Sequence, residues 1–282
     1  MAEITKVERK IKHKILESLE KEKFVILKNK EWEEQNEEYK FLQDKKISLE
    51  NYIGEKRINL EEGYKKEGDE VVIGCIDSGI EKRIPLAGSG ILFLTEDELL
   101  EFIKKRKVDV ITSHDGCGAA LIWARKKDLN INQEGADKLA MTYIHNIANK
   151  AGIKYRYIRA DEMKRSQDFQ PARMVFYNNI KDYYPSVIKG LPPTFSIERF
   201  TLFNVENAKE RLKLAIKIAF GDHGFGERFT EKNPFIIACC LNEGDDFDEI
   251  KKEVNKILEE MDIKKERIKV DYFIVPIKDE QK

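Results

Sequence analysis

Val71-Val72-Ile73-Gly74-Cys75-Ile76, running into Asp77-Ser78-Gly79, and Val108-Asp109-Val110-Ile111-Thr112-Ser113, running into His114-Asp115-Gly116-Cys117-Gly118, decide how this chain folds. Both runs are short, rich in β-branched residues and closed by turn formers, a pattern that predicts two buried strands. Between them, Thr95-Glu96-Asp97-Glu98 is a helix start, with a Thr N-cap and a carboxylate three positions on. That helix runs through Leu99, Leu100, Phe102 and Ile103 to about Lys107, where Lys and Arg suit the negative end of the dipole. Strand, helix and strand in this order predict a right-handed parallel crossover. Parallel strands bring both C-terminal ends to one edge, where open α/β sheets bind ligands.

What arrives at that edge is chemically distinctive. Cys75 leaves the first strand, and His114 and Cys117 leave the second, with His114 39 positions after Cys75. Two thiolates and one imidazole fill three places of a tetrahedral zinc site and leave the fourth open. A buried cysteine at a strand end is otherwise a small hydrophobe, so the weight rests on all three residues together. Gly116 and Gly118 let the turn close tightly around Cys117. A helix from Ala119 to about Lys127 follows, so its dipole favours the Cys117 thiolate. His114 needs an acceptor for its other ring nitrogen. Asp77 has three readings that the sequence leaves open. It ligates the metal, it hydrogen-bonds the attacking water, or it makes an Asx-type turn.

Cys75-Ile76-Asp77-Ser78 with His114-Asp115-Gly116-Cys117-Gly118-Ala119 resembles the paired zinc motifs of the β-class carbonic anhydrases, Cys-x-Asp-Ser-Arg and His-x-x-Cys-Gly. Pro85-Leu86-Ala87-Gly88-Ser89-Gly90 is similar to that family's Arg-Asn-Ala-Gly-Asn segment. The resemblance covers residues from about 70 to 160. It implies a Zn²⁺ enzyme that hydrates carbon dioxide reversibly to bicarbonate with zinc-bound hydroxide, with Cys75, His114 and Cys117 as ligands and Asp77 as catalytic residue. It also implies N-terminal helices that embrace a neighbouring subunit, hence a homodimer or higher homo-oligomer. The chain departs from the family at Gly79, where the family has the Arg that pairs with the Asp and holds it off the metal. The interval between the motifs is also shorter than usual. Lys82 or Arg83 is a candidate to replace the missing Arg; the absence of an Arg at position 79 adds weight to Asp77 as a fourth ligand. Two alternatives follow: a non-catalytic or repurposed zinc module of the same fold, and a carbonyl sulfide or carbon disulfide hydrolase with the same metal shell.

The rest of the chain sets the frame. Residues 1–68 form a helical N-terminal extension, with Val7, Ile11, Ile15, Leu16 and Leu19 at helical spacing and a solvated charge run from Glu31 to Glu38. Residues 69–180 form the zinc-binding α/β core, and 181–282 a C-terminal α/β region. Ile91–Leu94 is a further strand or an apolar plug that could line the substrate slot. A second core helix spans about Gln133 to Lys150, followed by strands at 153–158 and 174–177. Beyond the prolines at 185, 192 and 193, the pattern reads as a strand at 197–203, a helix at 205–220, a strand at 234–241, a helix at 246–261 and a strand at 268–276. These either extend the same sheet or form a second one. The expected fold is thus α/β, with a mostly parallel central sheet flanked by helices, β-carbonic-anhydrase-like. His145 reads as a surface residue, Cys239-Cys240 as core, and His223 as an outside candidate for proton relay.

Composition excludes several classes. The chain has 282 residues with 51 Lys+Arg against 52 Asp+Glu, a formal net charge of −1. No global pull toward nucleic acid follows. Apolar runs such as Phe235–Leu241 fall far short of the roughly 20 residues of a membrane span. Four cysteines in so long a chain do not make a disulfide scaffold. The charged N-terminus lacks a signal-peptide core, so a cytoplasmic location is expected.

Overall fold

The computed structural model describes residues 2–82, 84–166, 169–199 and 205–276, without the side chains of residues 2–13, 15, 16 and 205. The chain divides into two compact units, residues 1–40 and 41–282. The first is a single long helix, α1 (Ala2–Glu38), including the Phe24–Leu27 apolar patch. It carries i,i+4 contacts, the exposed pair Lys30 with Glu34 and the part-buried bond of Gln35 to Glu31.

The second unit is α/β, with two four-stranded, all-parallel sheets. The first sheet contains β1 (Val72–Gly74), β2 (Ile84–Pro85), β3 (Val110–His114) and β4 (Lys154–Ile158), in the order β2-β1-β3-β4. The second contains β5 (Met174–Asn178), β6 (Thr194–Glu198), β7 (Phe235–Leu241) and β8 (Ile268–Ile274), in the order β6-β5-β7-β8. Each sheet starts on an inner strand, steps to one edge, then crosses back to the other side. The two halves therefore share one topology. The carboxyl ends of β1 and β3 lie at the point where the strand order of the first sheet reverses. That crevice is the ligand-binding position of an open parallel sheet.

Local chemistry explains the elements. β3, β5 and β7 are buried at every residue, and their near-continuous apolar runs suit strands covered on both faces. Cys239 and Cys240 are fully buried in β7, as expected of core. Thr95 caps α3 (Glu96–Arg106) in a reciprocal capping box with Glu98. Asn132 caps α5 (Gln133–Ala151), which Gly152 ends in the left-handed conformation. Asp246 caps α7 (Phe247–Glu260). α2 (Leu49–Lys56), α4 (Gly118–Lys126) and α6 (Val205–Phe220) complete the set of seven α-helices among the described residues. None of the described helices is long and apolar enough to cross a membrane.

Of the two readings of the C-terminal pattern, the separate sheet is the one that forms, and the strand at 174–178, grouped by sequence with the zinc-binding region, is an inner strand of it. Two expectations change. β6 begins at Thr194, directly after Pro193, and ends at Glu198; residues 200–204 lie outside the described residues. Ile91–Leu94 is a turn, not a strand, because Gly88, Ser89 and Gly90 all adopt positive φ and coil the chain there. The strand of that segment is instead β2, two residues long.

The sheets meet near β2 and β6. Ser196 N–H donates to the Ile76 carbonyl at 3.4 Å. Arg211 Nη1 donates to the Pro85 carbonyl at 3.1 Å. Arg106, at the end of α3, pairs with Glu198 at 2.7 Å. The segment between Cys75 and Asp77 is thus braced by the second half of the molecule.

Candidate metal centre

Cys75, His114 and Cys117 come together, all buried, with one ligand atom from each lying within 4.8 Å of the others. The two sulfurs are 4.0 Å apart, and both cysteines are free thiols. Two thiolates at about 2.3 Å from one tetrahedral zinc would stand roughly 3.8 Å apart, so the spacing fits a metal and is far too long for a disulfide. His114 supplies the sharper test. Its Nδ1–H donates to the Asp115 backbone carbonyl at 2.8 Å, while Nε2 is buried with no hydrogen-bond partner among the described residues. An orphaned buried nitrogen is costly, and a metal ion shared with the two sulfurs would satisfy it. The residues therefore fit a metal, and this group could hold one.

The thiols share their protons unequally. The Cys117 thiol beside Cys75 draws Cys75 well below the usual thiol range against the effect of burial, with His114 acting in the same sense. Cys117 is pushed up by the Cys75 thiolate and by burial. The Gly88 N–H also points at Cys75 Sγ, at 3.4 Å. The Ala87–Gly90 turn is thus packed against the first ligand.

Asp77 is held by a residue far along the chain. Arg165 donates from Nε to Oδ1 at 2.7 Å and from Nη2 to Oδ2 at 2.6 Å, a bidentate pair with both side chains buried. Gly79 N–H adds a third donor at 2.8 Å, the Asx-type turn that is one of the three readings of Asp77. Burial would raise the Asp77 carboxyl, but the Arg165 hydrogen bonds and charge outweigh it and hold the group well below the usual carboxylate range. Position 79 explains how Arg165 gets in. A Cβ there would lie 2.5 Å from Arg165 Cγ, so the glycine that replaces the motif arginine also makes room for this one. Lys82 does not pair with the carboxylate. Its buried ammonium donates to the backbone carbonyls of Asp77 and Ile80, and burial lowers it to about 8 against the pull of Asp77 and Cys75. Arg83 lies outside the described residues.

Two further acids shape the second motif. Asp137, on α5, accepts the N–H groups of Gly116 at 2.8 Å and Cys117 at 3.1 Å, and Gln133 Nε2 at 2.7 Å. Gln133 also donates to the Cys117 carbonyl. Asp115 accepts the Tyr157 hydroxyl and the Ala160 N–H. Asp137 is the one charged residue on the buried stripe of α5, and a charge on an apolar stripe is the signal that sequence reading passed over. Asp137→Ala leaves two loop N–H groups without their acceptor. We expect metal affinity to fall about 10–100-fold, as read by competition with a chromophoric chelator. His223 and His145 are exposed and stand outside the group. The His223 carbonyl accepts the Gln170 N–H, and Gln170 in turn accepts the Ser78 hydroxyl.

No family model, curated protein or solved structure matches this chain.

Proposed function

We propose that the chain is a zinc-dependent carbonic-anhydrase-like enzyme that hydrates carbon dioxide to bicarbonate. The observation that carries this reading is the pairing of a three-ligand group, Cys75, His114 and Cys117, with an Asp77 whose two oxygens are both engaged by Arg165. A carboxylate held in this way would be kept off a metal held by Cys75, His114 and Cys117. Zinc bound there would supply Lewis acidity and lower the pKa of water toward about 7.

The chain's own residues do the rest. Arg165 fixes the Asp77 carboxylate as an ionised acceptor, and Asp77 orients the attacking water through a remaining lone pair. The His114 hydrogen bond to Asp115 leaves Nε2 as the ligating nitrogen. Asp137 and Gln133 hold the Gly116–Cys117 turn so that the second sulfur stays in register with the first. Exclusion of water comes from burial, with the three ligands between 2% and 5% exposed. That same burial favours a second reading, a closed zinc module that only stabilises the fold. Carbonyl sulfide or carbon disulfide hydrolysis would use the same ligands and is separated by substrate.

The test is stopped-flow carbon dioxide hydration on zinc-loaded protein from pH 7 to 9, with Cys117→Ser as control. We expect zinc-dependent activity that rises with pH and is lost in the control. Bound zinc without turnover, together with a cobalt-substituted spectrum that ignores pH and small anions, would overturn the enzyme in favour of the closed module.

A further inference from the structure

A cleft of about 530 Å³ opens beside the metal centre and is not lined by any of its three ligands. Its walls come from distant parts of the chain: the start of β1, the Ser78–Lys82 turn, β4 with the segment after it, and the Ser186–Leu191 loop from the second half. Four cations line it, Lys82, Arg156, Lys164 and Lys189, against two carboxylates, Glu70 and Glu81. The whole chain is slightly acidic, so this is a local concentration of positive charge. A concave, low-dielectric wall focuses the field of such a cluster on small ions.

The Lys82 ammonium is engaged by the Asp77 and Ile80 carbonyls, but the other three cations are available. Lys164 pairs with Glu81 with both side chains largely exposed, and Arg156 reaches Glu70 only at 3.6 Å. Exposed pairs of this kind are weak and exchange partners readily. Lys189 acts on Glu81 only through space, and no ion pair to its side chain exists among the described residues. The walls themselves are fixed. Ser186 Oγ donates to the Lys82 carbonyl at 2.8 Å, and Lys164 N–H to the Gly79 carbonyl at 3.0 Å. The cleft is therefore preformed, with exposed cationic tips at its rim.

Its size and lining define the ligand. The volume is that of a small-molecule site and far exceeds what one bicarbonate would fill. Among the described residues no aromatic side chain lines it to offer a platform for a nucleobase, whereas Ile80, Val187 and Leu191 are aliphatic. We propose that this cleft binds a small organic anion, a non-aromatic molecule bearing phosphate or carboxylate groups, through Lys164, Lys189 and Arg156. The proposal goes beyond the carbon dioxide reading and does not need it.

The experiment is isothermal titration calorimetry at low salt, on zinc-loaded protein and on Cys117→Ser, with inorganic phosphate and with succinate as separate titrants. We expect one-site saturable binding of at least one of them, weakened by sodium chloride and unchanged by loss of the metal ligand. Phosphate binding alone assigns a phosphorylated ligand, and succinate binding alone a carboxylate. Lys164→Glu with Lys189→Glu should weaken binding roughly tenfold or more, the effect of reversing two partly exposed contacts. Lys189→Gln serves if thermal melts show that the double variant does not fold, and should weaken binding to a lesser degree. Lys105→Glu, on the exposed face of α3, should change nothing. Absence of saturable heat with both anions, or equal weakening by Lys105→Glu, would overturn the proposal. Since binding is read without turnover, an inactive protein that binds phosphate refutes only the enzyme.

Discussion

Replacing Arg165 with alanine is expected to lower carbon dioxide hydration by the zinc-loaded protein roughly 10²-fold while zinc stays bound. The reasoning starts from Asp77, which is buried and accepts two hydrogen bonds from Arg165 and one from Gly79. Without Arg165, the carboxylate keeps only the backbone donor to its side chain. Lys82 cannot take over, because its ammonium is already bonded to the carbonyls of Asp77 and Ile80. A buried carboxylate deprived of its cation turns to the strongest positive charge nearby, which in the loaded protein is the metal. The expected signature is therefore more than lost rate. The cobalt-substituted variant should lose its spectral response to small anions, while the wild type retains it. Arg165→Lys should fall between the two, since an ammonium is a point charge and cannot span both oxygens. A lowered melting temperature with unchanged kcat and an unchanged anion response would show that Arg165 is only a structural partner of Asp77.

Much of this site was legible before any coordinate, and the reason is physical. β1 and β3 are inner strands of a parallel sheet, so their sequences must be short apolar runs, and the residues that follow them must lie at one edge. That logic finds Cys75, His114 and Cys117. It also finds the α3 capping box and the buried cysteines of β7. Arg165 was not legible, because it comes from an irregular segment after β4 with no periodicity to place its side chain. The only hint was negative: an Asp after the first cysteine and a glycine where its cation should stand. Asp137 was half legible, as a charge on an apolar helix face. The division into two sheets could not be read, since a parallel strand looks the same whether it extends one sheet or founds another. Side-by-side contact at β2 and β6 is made by single hydrogen bonds and one ion pair, which leave no pattern in either strand.

That ion pair carries the largest expected effect on stability. Glu198 ends β6, its side chain is 1% exposed, and its Oε1 lies 2.7 Å from Arg106 Nη2. Arg211, also buried, donates to the backbone carbonyls of Pro85 and Glu198. Burial lowers Arg211 to about 10, with the Glu198 charge opposing the fall. Burial likewise pushes the Glu198 carboxyl up despite Arg106, so the pair spends much of its attraction on its own desolvation. Two consequences follow. Glu198→Ala strands the Arg106 guanidinium, removes the countercharge that faces Arg211, and should cost about 3–5 kcal/mol. For a unit of this size that is a fall of roughly 6–20 °C in melting temperature. Replacing both partners, Glu198→Leu with Arg106→Met, should restore much of the loss, because an apolar pair avoids the desolvation that the ions suffer. The junction also reaches the site, since Ser196 on the same strand donates to Ile76, between Cys75 and Asp77. Glu198→Ala should therefore weaken metal binding as well, and the double variant should recover it. Equal melting temperatures for wild type and Glu198→Ala would mean that Arg106 escapes to solvent and that the junction does not depend on this ion pair.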